Sequence, residues 1–360
     1  MEDVKPREQV TLAVDAMGAD GGLEATVGGC AEARSQGLVA ALHLFGREDD
    51  VRAAAETVGL RDYALTHTDG VVAMDDKPTR AMRRKDTSMW GAIAAVKDGH
   101  CDGAVSSGNT GALMAVSMLQ LRMIEGVERP AITASWPATT GRSIVLDVGA
   151  NVEASAAQLV QFAIMGEAYH QALTGDDHPT VGLLNVGEEE AKGHELIREA
   201  AKTLREAAPG MRFVGFVEGD DISMGEVDVV VTDGFTGNIA LKAAEGTARM
   251  IAAWIKDAMT SSLRTKAGAV LMGPGLKELK ARMDPARMNG APLLGLNGLV
   301  VKSHGGADAS GVASALRIAE SLAVHPFGDR IRETIAQVEE RAAGSPADVG
   351  GDNHPAAAAE

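Results

Sequence analysis

Short apolar runs rich in Val, Ile, Leu and Thr alternate with longer helix-patterned stretches through most of this chain, and most runs end in a glycine cluster. That alternation most constrains the fold, because repeated strand–helix–strand units bury their apolar faces as a parallel sheet covered by helices. The runs predict strands at residues 10–14, 38–45, 103–106, 131–135, 143–148, 180–186, 213–217, 227–232 and 299–302. Helical spacing predicts helices at residues 86–97, 154–173, 189–207 and 310–323, among others. A doubly wound α/β domain follows, with strand order left open.

Glycine makes up 42 of 360 residues, above the usual share of roughly 7%. The excess sits at strand ends, where backbone turns tightly or approaches a ligand. Other features exclude whole classes. A formal charge of −16 and 3% aromatic content disfavour nucleic acid, which needs basic surface and stacking rings. No run of apolar residues is long enough to span a membrane, and the first residues are too polar for a secretory signal. With only Cys30 and Cys101 present, a disulfide framework is not expected and a reducing cytoplasm is. Neither zinc-ligand spacing nor H-E-x-x-H occurs, so no metal is expected. G-x-x-x-x-G-K-[ST] is absent, and no G-x-G-x-x-G follows the first strand.

Four glycine-rich loops lie between predicted strands and helices: residues 15–22, 106–111, 147–151 and 233–238. In open α/β sheets such loops gather at strand carboxyl ends, where ligands bind. In the second, Ser107, Gly108, Asn109 and Thr110 let successive N–H groups converge on an anion at a helix start. A plain turn capped by Asn109 or Thr110 explains the same residues, so both readings stand. Asp15, Asn151 and Asp233 occupy comparable places in the other loops. Lys192 is expected in the first turns of the helix at 189–207, and Lys302 with His304 ends a strand. Ordinary surface residues are the alternative for each. The run from Lys77 to Lys85 is basic against an acidic background, and helical spacing predicts that Arg80, Arg83 and Arg84 share a face. It reads either as a solvated helix or as a patch for an acidic partner or a phosphate.

Residues 238 to about 263 form an unusually long helical pattern carrying Ile251, Trp254, Ile255, Met259 and Leu263. A Gly-Pro-Gly break at 273–275 and a second amphipathic stretch to Met283 complete an expected helical hairpin, 238–283, that pairs with a second copy of the chain. Its uncharged tip, 267–276, lies between Arg264, Lys266, Lys277 and Lys280 and suits either an anionic bilayer surface or burial in the dimer. Residues 1–342 read as one domain, and 343–360 as a disordered tail.

Taken together, DAMGAD (15–20), SSGNTGAL (106–113), ERPA (128–131), LDVGANV (146–152), NVGEEEAKG (185–193), TDGFTGN (232–238), NGAPLLGLNG (289–298) and VKSHG (301–305) resemble the phosphate acyltransferase family of bacterial phospholipid synthesis. They occur in the family's order over nearly the whole chain; Ala19 departs from a usual glycine. The resemblance implies a Rossmann-like α/β/α fold similar to isocitrate-type dehydrogenases and phosphotransacetylases, usually as a homodimer. It implies that phosphate attacks the thioester of an acyl carrier protein, releasing thiol and acyl phosphate for a membrane glycerol-3-phosphate acyltransferase. Lys192 and Asn238 would act on the phosphate and the developing oxyanion. Asp15, Ser107–Thr110, Asn151, Asp233, Lys302 and His304 would bind phosphate or substrate. Arg80, Arg83, Arg84 and Lys85 would receive the carrier protein. A thiolate whose conjugate acid has a pKa of roughly 8–9 leaves without strong acid help, and neither metal nor organic cofactor is required. A β-decarboxylating dehydrogenase shares the fold, and a membrane-associated scaffold is suggested by the hairpin; both remain alternatives.

Overall fold

The computed structural model describes residues 9–208, 210–282 and 289–344. The first half runs β1 (Thr11–Asp15), α1 (Gly22–Ser35), β2 (Ala41–Gly46), α2 (Glu48–Val58), β3 (Tyr63–His67), α3 (Pro78–Ala81), α4 (Ser88–Lys97), β4 (Gly103–Ser106) and α5 (Thr110–Leu121). Next come β5 (Ala131–Ala138), β6 (Gly141–Leu146), α6 (Ala156–Thr174), β7 (Thr180–Leu184), α7 (Glu195–Ala207), β8 (Arg212–Val217), α8 (Gly219–Met224) and β9 (Val229–Val231). The chain closes with α9 (Gly234–Thr260), α10 (Leu263–Leu271), α11 (Gly273–Arg282), β10 (Ala291–Leu294), β11 (Leu299–Lys302), α12 (Ala309–Val324) and α13 (Gly328–Gly344).

All strands join one sheet in the order β3-β2-β1-β4-β11-β10-β5-β6-β9-β7-β8. Alternate side chains of each strand feed opposite faces, as the pleat requires. In β1, Leu12 and Val14 enter a layer with Val27 and Cys30 of α1 and Val312 and Leu316 of α12. Ala13 faces the other way, toward Met89 and Ile93 of α4 and Leu113 of α5. In β6 and β9, Leu146 and Val231 pack under α6, while Val145 and Val230 face Ile222 of α8 and the first turns of α9. Both faces are covered, which explains why the strands read as continuous apolar runs.

The sheet is not wholly parallel. β1, β2, β3, β4 and β11 run together; β10 opposes both β11 and β5, and β5 opposes β6. Strands β6, β9, β7 and β8 therefore run opposite to the first group. The two-residue turn at Thr139-Thr140, followed by Gly141 at φ 142°, admits only an antiparallel return from β5 to β6. Two strands were not expected: β3 is a largely exposed edge, and β10, though apolar, contains Pro292, which ordinarily argues against a ladder position.

Three helix boundaries also differ. α7 begins at Glu195 rather than 189, because Gly193 at φ 83° ends the preceding loop; Lys192 is thus in the loop. The basic helix stops at Ala81, so Arg80, Arg83 and Arg84 do not share a helical face. The hairpin follows its expected course: the long helix ends at Thr260, near the expected 263, and a chain break falls at Gly-Pro-Gly, where α10 ends at Leu271 and α11 opens at Gly273; between the two, Ser262 caps the additional helix α10. α13 extends to Gly344, past the boundary expected at 342; Met283 and residues 345–360 lie outside the described residues.

Candidate active site

The sheet directions sort the glycine-rich loops into two groups at opposite edges. At the first edge β1, β4 and β11 end in one register row, with Asp15 opposite Ser106 and Ser106 opposite Lys302. All three side chains are buried. Asp15 accepts hydrogen bonds of 2.6 Å from both Ser88 Oγ and Ser106 Oγ, and Ser106 Oγ accepts one from the Gly108 N–H at 3.1 Å. Burial pushes the Asp15 carboxyl above the usual range, opposed by these donors. Burial likewise lowers the Lys302 ammonium to about 8, with Asp15 and Asp20 resisting the shift. Lys302 Nζ donates to Ser107 O at 3.3 Å and to Ser303 O.

Close packing of three loops requires the glycines here. A Cβ on Gly18 would lie 2.5 Å from Asp15 Oδ2 and 3.0 Å from Gly108 Cα. The Asp20 N–H donates to Gly305 O, joining the first loop to the third. Ala19 is buried, and its methyl group is accommodated. Asn109 accepts from the Ala112 N–H as the cap of α5, while its Nδ2 donates to Met74 O and Asp76 O at 2.7 and 3.0 Å. Its carboxamide is therefore used within the protein. Thr110 is exposed, and the buried Ser107 side chain hydrogen-bonds to no described residue. His304 Nδ1 accepts from the Gly306 N–H, leaving the ring proton on Nε2 of the neutral imidazole. Asn289 accepts from the His304 N–H and donates to Ser303 Oγ, both at 2.8 Å.

At the second edge, β6 leads into Asp147, a buried carboxylate. Oδ1 accepts from the N–H groups of Ile132, Gly149 and Ala150; Oδ2 accepts from Asn151 N and Nδ2. Burial pushes this carboxyl up, against its donors. Asn151 Nδ2 also donates to Pro130 O at 2.8 Å, so Asn151 shapes the loop. Asp233 caps α9 through the Thr236 N–H and Oγ. Gly237 lets the helix touch the Asp147 backbone. That contact places Asn238, exposed, with its carboxamide 3.8 Å from a Cβ position on Gly149. On β7, the neighbour of β9, the following loop presents Lys192, exposed and paired with Glu189 at 2.6 Å. Glu189 raises the Lys192 pKa.

The sequence does not single out Ser88, Ser106, Asp147, Asn185 or Asn289, although Ser106 and Asp147 open two of its glycine-rich loops. Their roles depend on register and loop closure, although each lies within or beside a recognised motif except Ser88. In the basic run, Arg80 pairs with Asp76 at 3.0 Å, and Arg84 donates to Val71 O and pairs with Asp86. Arg83 and Lys85 are exposed and pair with no described carboxylate. An open depression of about 530 Å³ lies between residues 71–77 and Arg80 and Arg84. Among the described residues no His/Cys/Asp/Glu cluster could hold a metal. No described helix is long and apolar enough to cross a membrane.

Comparison with known proteins assigns this architecture. Residues 10–330 match the family described as "Fatty acid synthesis protein". The chain is 52% identical over 339 residues to the phosphate acyltransferase of Maricaulis maris, covering 90% of this chain and 94% of that protein. It is 50% identical over 339 residues to that of Caulobacter vibrioides, covering 93% and 94%. A phosphotransacetylase from Streptococcus pyogenes superposes with a TM-score of 0.61 over 88% of this chain and 94% of that one, at 16% identity. A branched-chain phosphotransacylase from Enterococcus faecalis gives 0.58 over 88% and 99%, at 15% identity. At such identities the solved structures show the shared Rossmann-like fold, while the close relatives set aside the dehydrogenase and scaffold alternatives. The chain belongs to the phosphate acyltransferase family and is an acyltransferase of lipid synthesis.

Proposed function

We propose that the protein transfers an acyl group from an acyl carrier protein thioester to inorganic phosphate. The observation that carries this reading is an exposed cation and an exposed neutral donor after adjacent strands: Lys192 on the loop following β7, and Asn238 near the start of α9, which follows β9. Lys192 neutralises phosphate while one of its oxygens attacks the thioester carbonyl. The new C–O bond creates a tetrahedral oxyanion, to which Asn238 Nδ2 donates. Collapse breaks the C–S bond; the thiolate departs with its electron pair and acyl phosphate remains. Lys302, Ser107 and the N–H groups around Gly108 hold the substrate anion, with His304 Nε2–H as a further donor.

These two groups of residues lie at opposite strand ends of one sheet and at least four strand spacings apart, from β11 to β9, or roughly 19 Å. A homodimer reconciles them, with each site taking its first-edge loops from one protomer and its second-edge loops from the other. Support comes from α9, where Ile239, Met250, Ile251 and Trp254 are all exposed in one copy. Arg83 and Lys85, flanked by Arg80 and Arg84, receive the acidic carrier protein. The enzyme works in the cytoplasm and touches the anionic bilayer through its hairpin tip, delivering acyl phosphate to a membrane glycerol-3-phosphate acyltransferase.

Incubation with acyl carrier protein thioester, phosphate and hydroxylamine should yield acyl hydroxamate only when phosphate is present. Lys192→Ala and Asn238→Ala should fold normally and lose about a hundredfold to a thousandfold in turnover, as removal of an oxyanion donor does elsewhere. Well-folded variants with near-parental rates contradict these two roles.

A further inference from the structure

We propose that Asn185 is a positioning residue that sets Lys192 for phosphate, an inference that rests on the phosphate role of Lys192. Asn185 follows β7, and its N–H donates to Val217 O at 2.9 Å, fixing its backbone to the ladder with β8. Its Nδ2 donates to Gly187 O at 3.0 Å and to Lys192 O at 3.2 Å. One carboxamide thus ties both ends of the loop that carries the lysine. Arg198 holds the flanking carbonyls of Ala191 and Gly193. Lys192 N–H itself donates to Glu189 O. Backbone polar groups on both sides of the lysine are therefore engaged, and its side chain is the part left exposed.

Two glycines make room for this arrangement. Gly193 has φ 83°, and a Cβ there would overlap Asn185 Oδ1. Gly187 lies beneath the lysine, where a Cβ would come within 2.7 Å of Nζ. The Asn185 Oδ1 acceptor is buried without a hydrogen-bond partner. An asparagine chosen only to stabilise a surface loop would ordinarily satisfy both ends of its amide. Here the two N–H bonds, to Gly187 O and Lys192 O, are what fix the loop, and Oδ1 adds no bond to it. A shift of about 1 Å in a substrate-positioning group is enough to cost roughly a hundredfold in rate.

The test is a kinetic cycle on the full-length protein, using inorganic phosphate and acyl carrier protein thioester. Asn185→Ala is expected to raise the phosphate KM about tenfold, which is roughly 1.4 kcal/mol, with the thioester KM and the melting temperature near parental. In a Lys192→Ala background the same change should add nothing, because the group it positions is gone. Asn185→Asp fills the same space but has no N–H to donate, and it should reproduce the alanine result. If Lys192→Ala leaves the phosphate KM unchanged, the reading of Lys192 fails and the inference falls with it. If Lys192→Ala raises the KM but the Asn185 changes have no effect, or the same effect in both backgrounds, only the inference is overturned. It is also overturned if neither Asn185 variant folds, since the residue would then serve the fold.

Discussion

Two lysines in the proposed chemistry experience opposite environments, and pH separates them. Glu189 holds Lys192 above the ordinary lysine value, so it stays charged through the neutral and mildly alkaline range. Burial lowers Lys302 from 10.5 to about 8. If Lys302 binds phosphate as ammonium, the phosphate KM should rise above pH 8, about tenfold per unit, and Lys302→Met should abolish that limb. Stability moves the other way: between about 8 and 10.5 the unfolded chain binds more protons at this residue, so its contribution to folding improves as pH increases. A phosphate KM flat from pH 7 to 9.5 in the parental enzyme contradicts the assignment. Lys302 was selectable in the sequence because it ends an apolar run beside His304 and glycine. Its burial was not, because the row Asp15–Ser106–Lys302 exists only once three non-consecutive strands pair. For the same reason Asp147, ringed by five N–H donors, looked like an ordinary loop residue.

Among the elements, the hairpin shows most clearly how apolar pattern and local breaks differ in value. The long amphipathic helix was legible from its periodicity, and α9 spans Gly234–Thr260. The break expected at Gly-Pro-Gly falls where α10 ends at Leu271 and α11 begins at Gly273, proline in the first turn being compatible with a helix start; the separate helix α10 was not expected. The Asx and serine caps that set the true boundaries, Asp233 and Ser262, carry weaker signals in sequence. Val270, Leu271 and Met272 are strongly exposed at the end of α10. Replacing all three with Glu should release the protein from anionic vesicles while leaving turnover of soluble thioester unchanged. Failure of the parental protein to sediment with such vesicles removes the membrane role.

For the whole molecule, alternation of strand and helix patterns announced an α/β fold but not the reversal of direction at β10, β5 and β6. That reversal depends on a short hairpin and a proline-containing strand, both local exceptions to the dominant pattern. It also places Lys192 and Lys302 at opposite strand ends of the sheet, which is why the proposed site draws on two protomers. Coexpressing Lys192→Ala with Lys302→Met should restore about a quarter of parental activity, since half of randomly paired twofold dimers are mixed and each holds one intact site. Absence of recovery despite demonstrated mixed dimers contradicts the shared site. The chemistry itself is tested most directly by a single-turnover quench with enzyme in excess over acyl carrier protein thioester. Both thiols are buried, Cys30 with its pKa pushed up to about 12 and Cys101 with its Sγ 4.0 Å from His43 Nδ1, so direct attack predicts that neither becomes acylated. Direct attack requires that no carrier thiol be released without phosphate and that, with phosphate, thiol and acyl phosphate appear together in equal amounts. Thiol release without phosphate, accompanied by acyl group covalently attached to the protein, contradicts the proposed reaction.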